Sequence, residues 1–253
     1  MPATDLHHAD CFSRRESLAD YLARMDYVSS SALRRFLRTG KPPEQAMIPD
    51  PTPRDASLGD ALHALLLEPE RFAESYLPLD RETAAPSDAD QTATESRIRL
   101  SADEATALKS MQRAILTHAK APLANWLAAG EKELSIYWTD TTGGRWKGRP
   151  DCFSGEVILE LKTTSDVRPA RFAKARRRFG YDLQAALYLE GVARLTGSRP
   201  RFLYVTVETT RPHVVWVHEL GAEELNFACV ALDEARTLFN RARLCTAIVG
   251  ERN

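Results

Sequence analysis

The chain has 253 residues, enough for one large domain or two small ones, and its 43% hydrophobic and 27% charged residues are the balance of a soluble globular protein. A net charge of -1 excludes a nucleic-acid binder that works through overall basicity, so any such signal has to be local. The four cysteines (Cys11, Cys152, Cys229 and Cys245) share no C-x-x-C spacing, which argues against a zinc or iron–sulfur cluster and fits reduced thiols in a cytoplasmic protein.

The opening "MPATDLHHADCFSRRE" lacks the apolar centre of a signal peptide, and no apolar run approaches the roughly 18 residues of a membrane span. Residues 14–25 and 29–39 read as short helices, the second capped by Ser30 or Ser31 and ended by Gly40. The proline-rich 41–56 reads as loop. Residues 57–76 read as a helix opened near Ser57 and interrupted at Pro69, and the polar, acidic 78–97 as a mobile insertion. Ser101, with Glu104 three positions on, is a capping box and opens the next helix.

From residue 133 the hydrophobic period changes to two, which predicts a hairpin over 133–153 turning at Thr142-Gly143-Gly144. "VILELKT" (157–163) reads as a third, central strand. Two helices follow over 168–180 and 181–197, then strands over 201–210 and 213–220, then an amphipathic helix over about 222–247. This order predicts an α/β fold with a mixed central β-sheet flanked by helices. An N-terminal helical and loop segment, 1–56, packs on a core formed by 57–253.

The central strand carries the chemistry. Glu160 and Lys162 are two apart, so they share a face, and Leu159 and Leu161 take the other. A turn at Ser154-Gly155 would return Asp151 to the Glu160 face. Two carboxylates and a lysine there suit metal-assisted phosphodiester hydrolysis: hard oxygens hold Mg²⁺, the metal activates water, and the lysine orients water or offsets phosphate charge. The competing reading is a structural ion pair, because short motifs recur by chance.

Two neighbouring segments add weight. Gln184 and Tyr188, one helical turn apart, share a face of the helix after next, where the plain alternative is a polar helix edge. Between them and the strand lie Arg168, Arg171, Lys174, Arg176, Arg177 and Arg178, with no acid from 167 to 179. Such a cluster reads as a phosphate-binding footprint, or as a solvated basic face.

Together these pieces resemble the PD-(D/E)XK nuclease superfamily, through Pro150-Asp151 and Glu160-Leu161-Lys162. "SSSALRRFLRTGKPPE", "LGDALHALLLEPERF", "KGRPDCF…VILELKTTSD" and "FGYDLQAALYLEG" further resemble the exodeoxyribonuclease VIII (RecE-type) and YqaJ-like branch, a relative of the RecB-type and lambda exonuclease nucleases. The resemblance covers roughly residues 20–210 and implies a restriction-endonuclease-like core. It implies that Asp151, Glu160, the Leu161 carbonyl and His63 bind metal, that Lys162 is catalytic, and that Gln184 and Tyr188 order the site. From the residues alone, His63 reads rather as a core histidine on an apolar helix. Glu133 is a weaker candidate for a further carboxylate. The resemblance implies Mg²⁺, with Mn²⁺ as substitute, and no iron–sulfur cluster, since no cysteine triplet lies near the C-terminus. It also implies action on double-stranded DNA ends, a ring-shaped homo-oligomer and a single-strand annealing recombinase as candidate partner, while the cysteines and the lack of an apolar span predict a cytoplasmic, non-membrane setting. An exonuclease in recombination or phage-type repair leads. A structure-selective endonuclease and a DNA-binding module with little activity are the rivals.

Overall fold

A computed structural model describes residues 7–8, 10–49, 58–78 and 97–250. The expected Ser57 cap, the insertion over 79–96 and the boundary at residue 56 lie outside the described residues.

The N-terminal elements are β1 (His7–His8), β2 (Cys11–Arg14), α1 (Leu18–Ala23), β3 (Val28–Ser29), α2 (Ser30–Thr39), α3 (Pro43–Met47), α4 (Leu58–Leu67), α5 (Pro69–Ser75) and β4 (Tyr76–Pro78). Next come β5 (Ile98–Leu100), α6 (Ala102–Leu116), α7 (Leu123–Ala129), β6 (Glu131–Lys132), β7 (Ser135–Thr139), β8 (Arg145–Gly148), β9 (Cys152–Phe153) and β10 (Val157–Thr164). The chain closes with α8 (Pro169–Phe179), α9 (Tyr181–Thr196), β11 (Arg201–Glu208), β12 (Val215–Glu219) and α10 (Ala222–Gly250).

Two five-stranded mixed sheets form, in the orders β1-β2-β7-β8-β3 and β12-β11-β10-β9-β6, beside a parallel β4-β5 pair. The β7–β8 hairpin turns where Asp140 Oδ1 accepts the Gly144 N–H at 2.9 Å, and Gly143 supplies a φ of 82°. Past Gly148 the chain runs through Arg149-Pro150-Asp151 and leaves the first sheet for the second. That crossing sets Asp151 at the junction.

β10 is the middle strand of the second sheet, parallel to β11 and antiparallel to β9. Its run of Val157, Ile158, Leu159 and Leu161 is buried on both faces, as a strand covered by helices must be. Leu159 and Leu161 join Leu203 and Val205 of β11 in a core with Leu62 of α4 and Leu108, Met111 and Ile115 of α6. Ile158, Phe202 and Tyr204 face the opposite layer, with Leu183 and Leu187 of α9 and Phe239 of α10. Each such side chain contributes about 1.5–3 kcal/mol relative to exposure, so the two layers fix β10 firmly.

Several sequence expectations change. The helix expected over 14–25 shrinks to α1, N-capped by Ser17, because Cys11–Arg14 pairs with β7 as a strand. The α2 cap is Ser29, whose Oγ accepts the Ala32 N–H at 3.2 Å. Neither Ser30 nor Ser31 does this, since Val28 and Ser29 pair in parallel with β8 and the helix starts directly after them. The loop expected over 41–56 contains α3, and α7, β4, β5 and β6 add elements that periodicity did not predict. At Ser101 the capping box forms as the spacing predicts, with the Glu104 N–H donating to Ser101 Oγ at 3.2 Å and the Ser101 N–H to Glu104 Oε2 at 2.8 Å.

Candidate active site

Three backbone features bring the site together. Along β10, Glu160 and Lys162 project toward α9, opposite Leu159 and Leu161. Gly155 takes a φ of 86°, and the Ser154 N–H donates to the Val157 carbonyl at 3.1 Å, closing the turn between β9 and β10. That turn returns Asp151, whose Oδ2 accepts the Leu161 N–H at 2.6 Å. From the other side α4 presents His63, with Nε2 3.0 Å from the Leu161 carbonyl oxygen and 3.5 Å from Asp151 Oδ2. The hydrogen bond to that carbonyl needs the proton on Nε2. Burial, and after it the Lys162 charge, lowers the His63 pKa and keeps the ring neutral.

Glu160 is 2% exposed. Its Oε1 accepts from Lys162 Nζ at 2.8 Å and from Gln184 Nε2 at 2.6 Å. Its Oε2 is buried with no hydrogen-bond partner, and so is Gln184 Oε1. The Gln184 amide also donates to the Tyr188 hydroxyl at 3.2 Å, so the two α9 residues act on Glu160 in series. Burial disfavours the Lys162 charge, but the Glu160 and Asp151 carboxylates outweigh it and raise its pKa. Lys162 is therefore an ammonium at neutral pH. Asp151 is pushed well above the ordinary carboxylate range, first by burial and then by Glu160.

Glu133 lies between β6 and β7 with a φ of 54°, rather than opening the hairpin strand. This turns its carboxylate inward, where ligand atoms of His63, Glu133 and Asp151 all lie within 4.8 Å of one another. Burial, followed by the Asp151 charge, pushes its pKa up to about 7. Arg149, which sequence reasoning did not single out, donates through Nε to Glu133 Oε2 at 2.7 Å. Its Nη1 reaches Ser135 Oγ at 2.9 Å and the Glu16 carbonyl at 3.0 Å. Its only signal in the sequence was its place directly before Pro150-Asp151. Tyr181 was also missed; its ring centroid lies 5.0 Å from Lys162 Nζ.

The donor set is mostly hard oxygen: the Asp151, Glu160 and Glu133 carboxylates and the Leu161 carbonyl, with one imidazole nitrogen. That chemistry suits Mg²⁺ or Mn²⁺ rather than a thiolate-bound metal. An unpartnered, buried carboxylate oxygen is the kind of atom a cation satisfies. The residues present fit a divalent ion.

The basic cluster divides. Lys174, Arg177 and Arg178 are exposed on α8. Arg168 caps the helix and pairs with Asp166 at 2.5 Å, and Arg171 lies 3.7 Å from the same carboxylate. Arg176 corrects the expectation of six cations on one phosphate-facing surface. It is 7% exposed, held 2.9 Å from Asp182 and 2.6 Å from Glu224, and ties α8 to α9 and α10.

Among the described residues no helix is long and apolar enough to cross a membrane. Residues 29–244 match a family model described as "PDDEXK-like domain of unknown function (DUF3799)". The chain therefore belongs to that family, within the PD-(D/E)XK nuclease superfamily. The crystal structure of a "Putative exonuclease" from Eubacterium rectale superposes with a TM-score of 0.62 at 17% identity, covering 90% of this chain and 86% of that one, and so shares the fold. A second structure, SSO0001, aligns over 73% of this chain and 88% of its own at 13% identity, but its TM-score of 0.31 is too low to bear on the fold. No curated protein sequence matches the chain.

Proposed function

We propose that this PDDEXK-like chain is a divalent-metal-dependent exodeoxyribonuclease that degrades linear double-stranded DNA from its ends. The observation that carries the proposal is the convergence of His63, Glu133 and Asp151, whose ligand atoms lie within 4.8 Å of one another, together with a buried Glu160 carboxylate whose Oε2 has no hydrogen-bond partner. Asp151, Glu160, the Leu161 carbonyl and His63 would hold the cation, joined by Glu133, whose carboxylate lies within 4.8 Å of the His63 and Asp151 ligand atoms. When bound, Mg²⁺, or Mn²⁺ in its place, supplies Lewis-acid polarisation of the phosphate and a lower pKa for water.

The chain's own residues do the rest. Lys162 stays charged, fixed 2.8 Å from Glu160 Oε1, so it offsets phosphate charge and orients water rather than accepting a proton. Gln184 holds the Glu160 carboxylate through Oε1, and Tyr188 braces Gln184. The Leu161 N–H fixes Asp151, with the neutral His63 ring alongside it. Lys174, Arg177 and Arg178 on α8 offer positive charge to the DNA backbone. A ring-shaped homo-oligomer, a single-strand annealing recombinase partner and a role in recombination or repair belong to the same proposal through the RecE-type resemblance, and a cytoplasmic setting belongs to it through the scattered cysteines.

Digestion of linear and closed-circular duplex DNA in Mg²⁺ tests it, with wild type and Lys162→Ala in parallel. Wild type should degrade the linear DNA and spare the circle, and Lys162→Ala should lose about 100-fold or more in rate. An inert wild type in both Mg²⁺ and Mn²⁺ would refute the nuclease reading. Nicking of the circle would replace the exonuclease with an endonuclease.

A further inference from the structure

Beside Lys162 lies a cleft that the hydrolytic residues do not account for. It has a volume of about 860 Å³ and opens between α2, the α8–α9 turn and α10. Arg34 and two further arginines of α2 line it, with Arg177 and Arg178 from the end of α8. The acids there are Asp182, already 2.9 Å from the buried Arg176, and Glu234. Arg34, Arg177 and Arg178 thus give the cleft a local cluster of positive charge in a chain whose total charge is -1.

The same cleft exposes aromatic surface. Phe227 is 60% exposed, and Phe179, whose ring packs 5.7 Å from that of Tyr181 and carries Arg178 Cζ at 5.5 Å, is 50% exposed. Tyr181 forms the wall shared with the active site: its ring centroid is 5.0 Å from Lys162 Nζ and 5.8 Å from Arg34 Cζ. Arg34 Nη1 also donates to the Phe179 carbonyl at 3.2 Å. Gly180 permits this packing, since it takes a φ of 64° and a Cβ there would come within 2.9 Å of the Arg34 side chain.

Exposed aromatic side chains among arginines match one nucleic-acid form better than the other. A duplex hides the faces of its bases and offers only phosphates to arginine. An unpaired strand offers both, and base–aromatic stacking is tolerant of sequence. We propose that this cleft holds a single-stranded stretch of DNA next to the hydrolytic site, with bases against Phe179 and Phe227 and phosphates at Arg34, Arg177 and Arg178. The inference rests on the nuclease reading and sharpens it: the strand in the cleft must be separated from its complement.

The test measures binding without cleavage. Full-length protein in EDTA is titrated into a fluorescein-labelled oligo-dT and into an abasic oligonucleotide of equal length and charge, read by anisotropy. Wild type should bind oligo-dT about 10- to 100-fold more tightly than the abasic strand. Phe179→Ala/Phe227→Ala should remove that preference and leave abasic binding intact. Arg177→Ser/Arg178→Ser should weaken both ligands together. If the double phenylalanine variant fails to give a cooperative melt, Phe227→Ala alone serves and should lose part of the preference. Equal wild-type affinity for the two strands would overturn the proposal, as would an unchanged preference in the phenylalanine variants. Loss of an oligomer by light scattering with unchanged oligo-dT affinity would make the cleft an interface between copies, and also overturns it. Digestion of linear duplex in Mg²⁺ separates the two readings: cleavage without base preference sinks only the cleft, and base preference without cleavage sinks only the nuclease.

Discussion

Glu133→Gln should stabilise the metal-free protein, and increasingly so as pH rises. The folded carboxyl titrates at about 7 instead of its ordinary 4.5, through burial and the neighbouring Asp151. A group whose folded pKa is raised contributes stability that is complete below its unfolded pKa and is lost as pH climbs through the folded one. At about 1.4 kcal/mol per pH unit, the interval from 4.5 to about 7 is worth about 3 kcal/mol. Glutamine keeps an oxygen for the Arg149 Nε–H and carries no charge, so the variant should gain that amount relative to wild type by about pH 8. Asp151, also raised, gives the wild type a loss of the same sign, whereas the lowered His63 pKa works in the opposite direction below its ordinary value. Removing the Glu133 charge also changes its interaction with Asp151 and His63, so the difference reports position 133 together with that coupling. Equilibrium urea unfolding in EDTA from about pH 5 to about pH 8 measures it. Parallel stability curves for the two proteins would refute the reasoning. Mg²⁺ should then stabilise wild type more at about pH 8 than at about pH 5, because the cation competes with protons for the same oxygens.

Three further outcomes follow from the geometry. Millimolar Mn²⁺ should raise the wild-type Tm by about 5 °C or more, and Glu160→Gln should abolish the rise in differential scanning fluorimetry, because the bare Oε2 is the atom the ion would take. Arg149→Met should cost about 3–5 kcal/mol in urea unfolding, since it leaves the half-buried Glu133 carboxylate unpaired and strips Ser135 Oγ and the Glu16 carbonyl of their donor; an effect below about 1 kcal/mol would show that the pair is dispensable. Gly191→Ala should lower stability by about 1–3 kcal/mol in the same assay, because its Cβ would stand 2.7 Å from Trp138 Cζ3 inside the core.

The centre of the fold was legible because its signals are local. β10 alternates Glu and Lys against Leu, and α9 repeats Gln184 and Tyr188 at helical spacing, so each side chain's face follows from the chain around it. Asp151 was legible through one short turn. The edges were not. Cys11–Arg14 and Val28–Ser29 carry no strand-like run of their own and become strands only because β7 and β8 supply hydrogen-bonding partners more than a hundred residues away. Glu133 owes its inward direction to a left-handed backbone that a non-glycine residue seldom adopts. Arg176 looked like part of a basic face because its acids lie elsewhere: Asp182 starts α9 and Glu224 starts α10. Single-sequence reasoning sees charges along a helix but not which of them another element will neutralise.

The Asp-Glu-Lys pattern by itself does not separate a metal site from a buried ion pair; the leftover acceptors do. A structural pair is stable when every charged atom ends on a donor or acceptor, since an unmatched buried acceptor costs about 1–3 kcal/mol. Here Lys162 and the Gln184 amide both converge on Glu160 Oε1, while Glu160 Oε2 and Gln184 Oε1 are left bare. Rotating the Gln184 amide would not help, because its oxygen would then face Glu160 Oε1. Arg149 brings a second cation, but its donors go to Glu133, Ser135 and the Glu16 carbonyl rather than to Glu160. If stability alone shaped this arrangement, Glu160→Gln would relieve it: the variant would be more stable than wild type in EDTA and would bind divalent ions no worse. If the bare oxygen is there for a cation, the same substitution relieves the metal-free protein and abolishes divalent binding. Isothermal titration with Mn²⁺, run beside urea unfolding in EDTA, distinguishes the two, and retained Mn²⁺ affinity in Glu160→Gln would return the site to an ordinary ion pair.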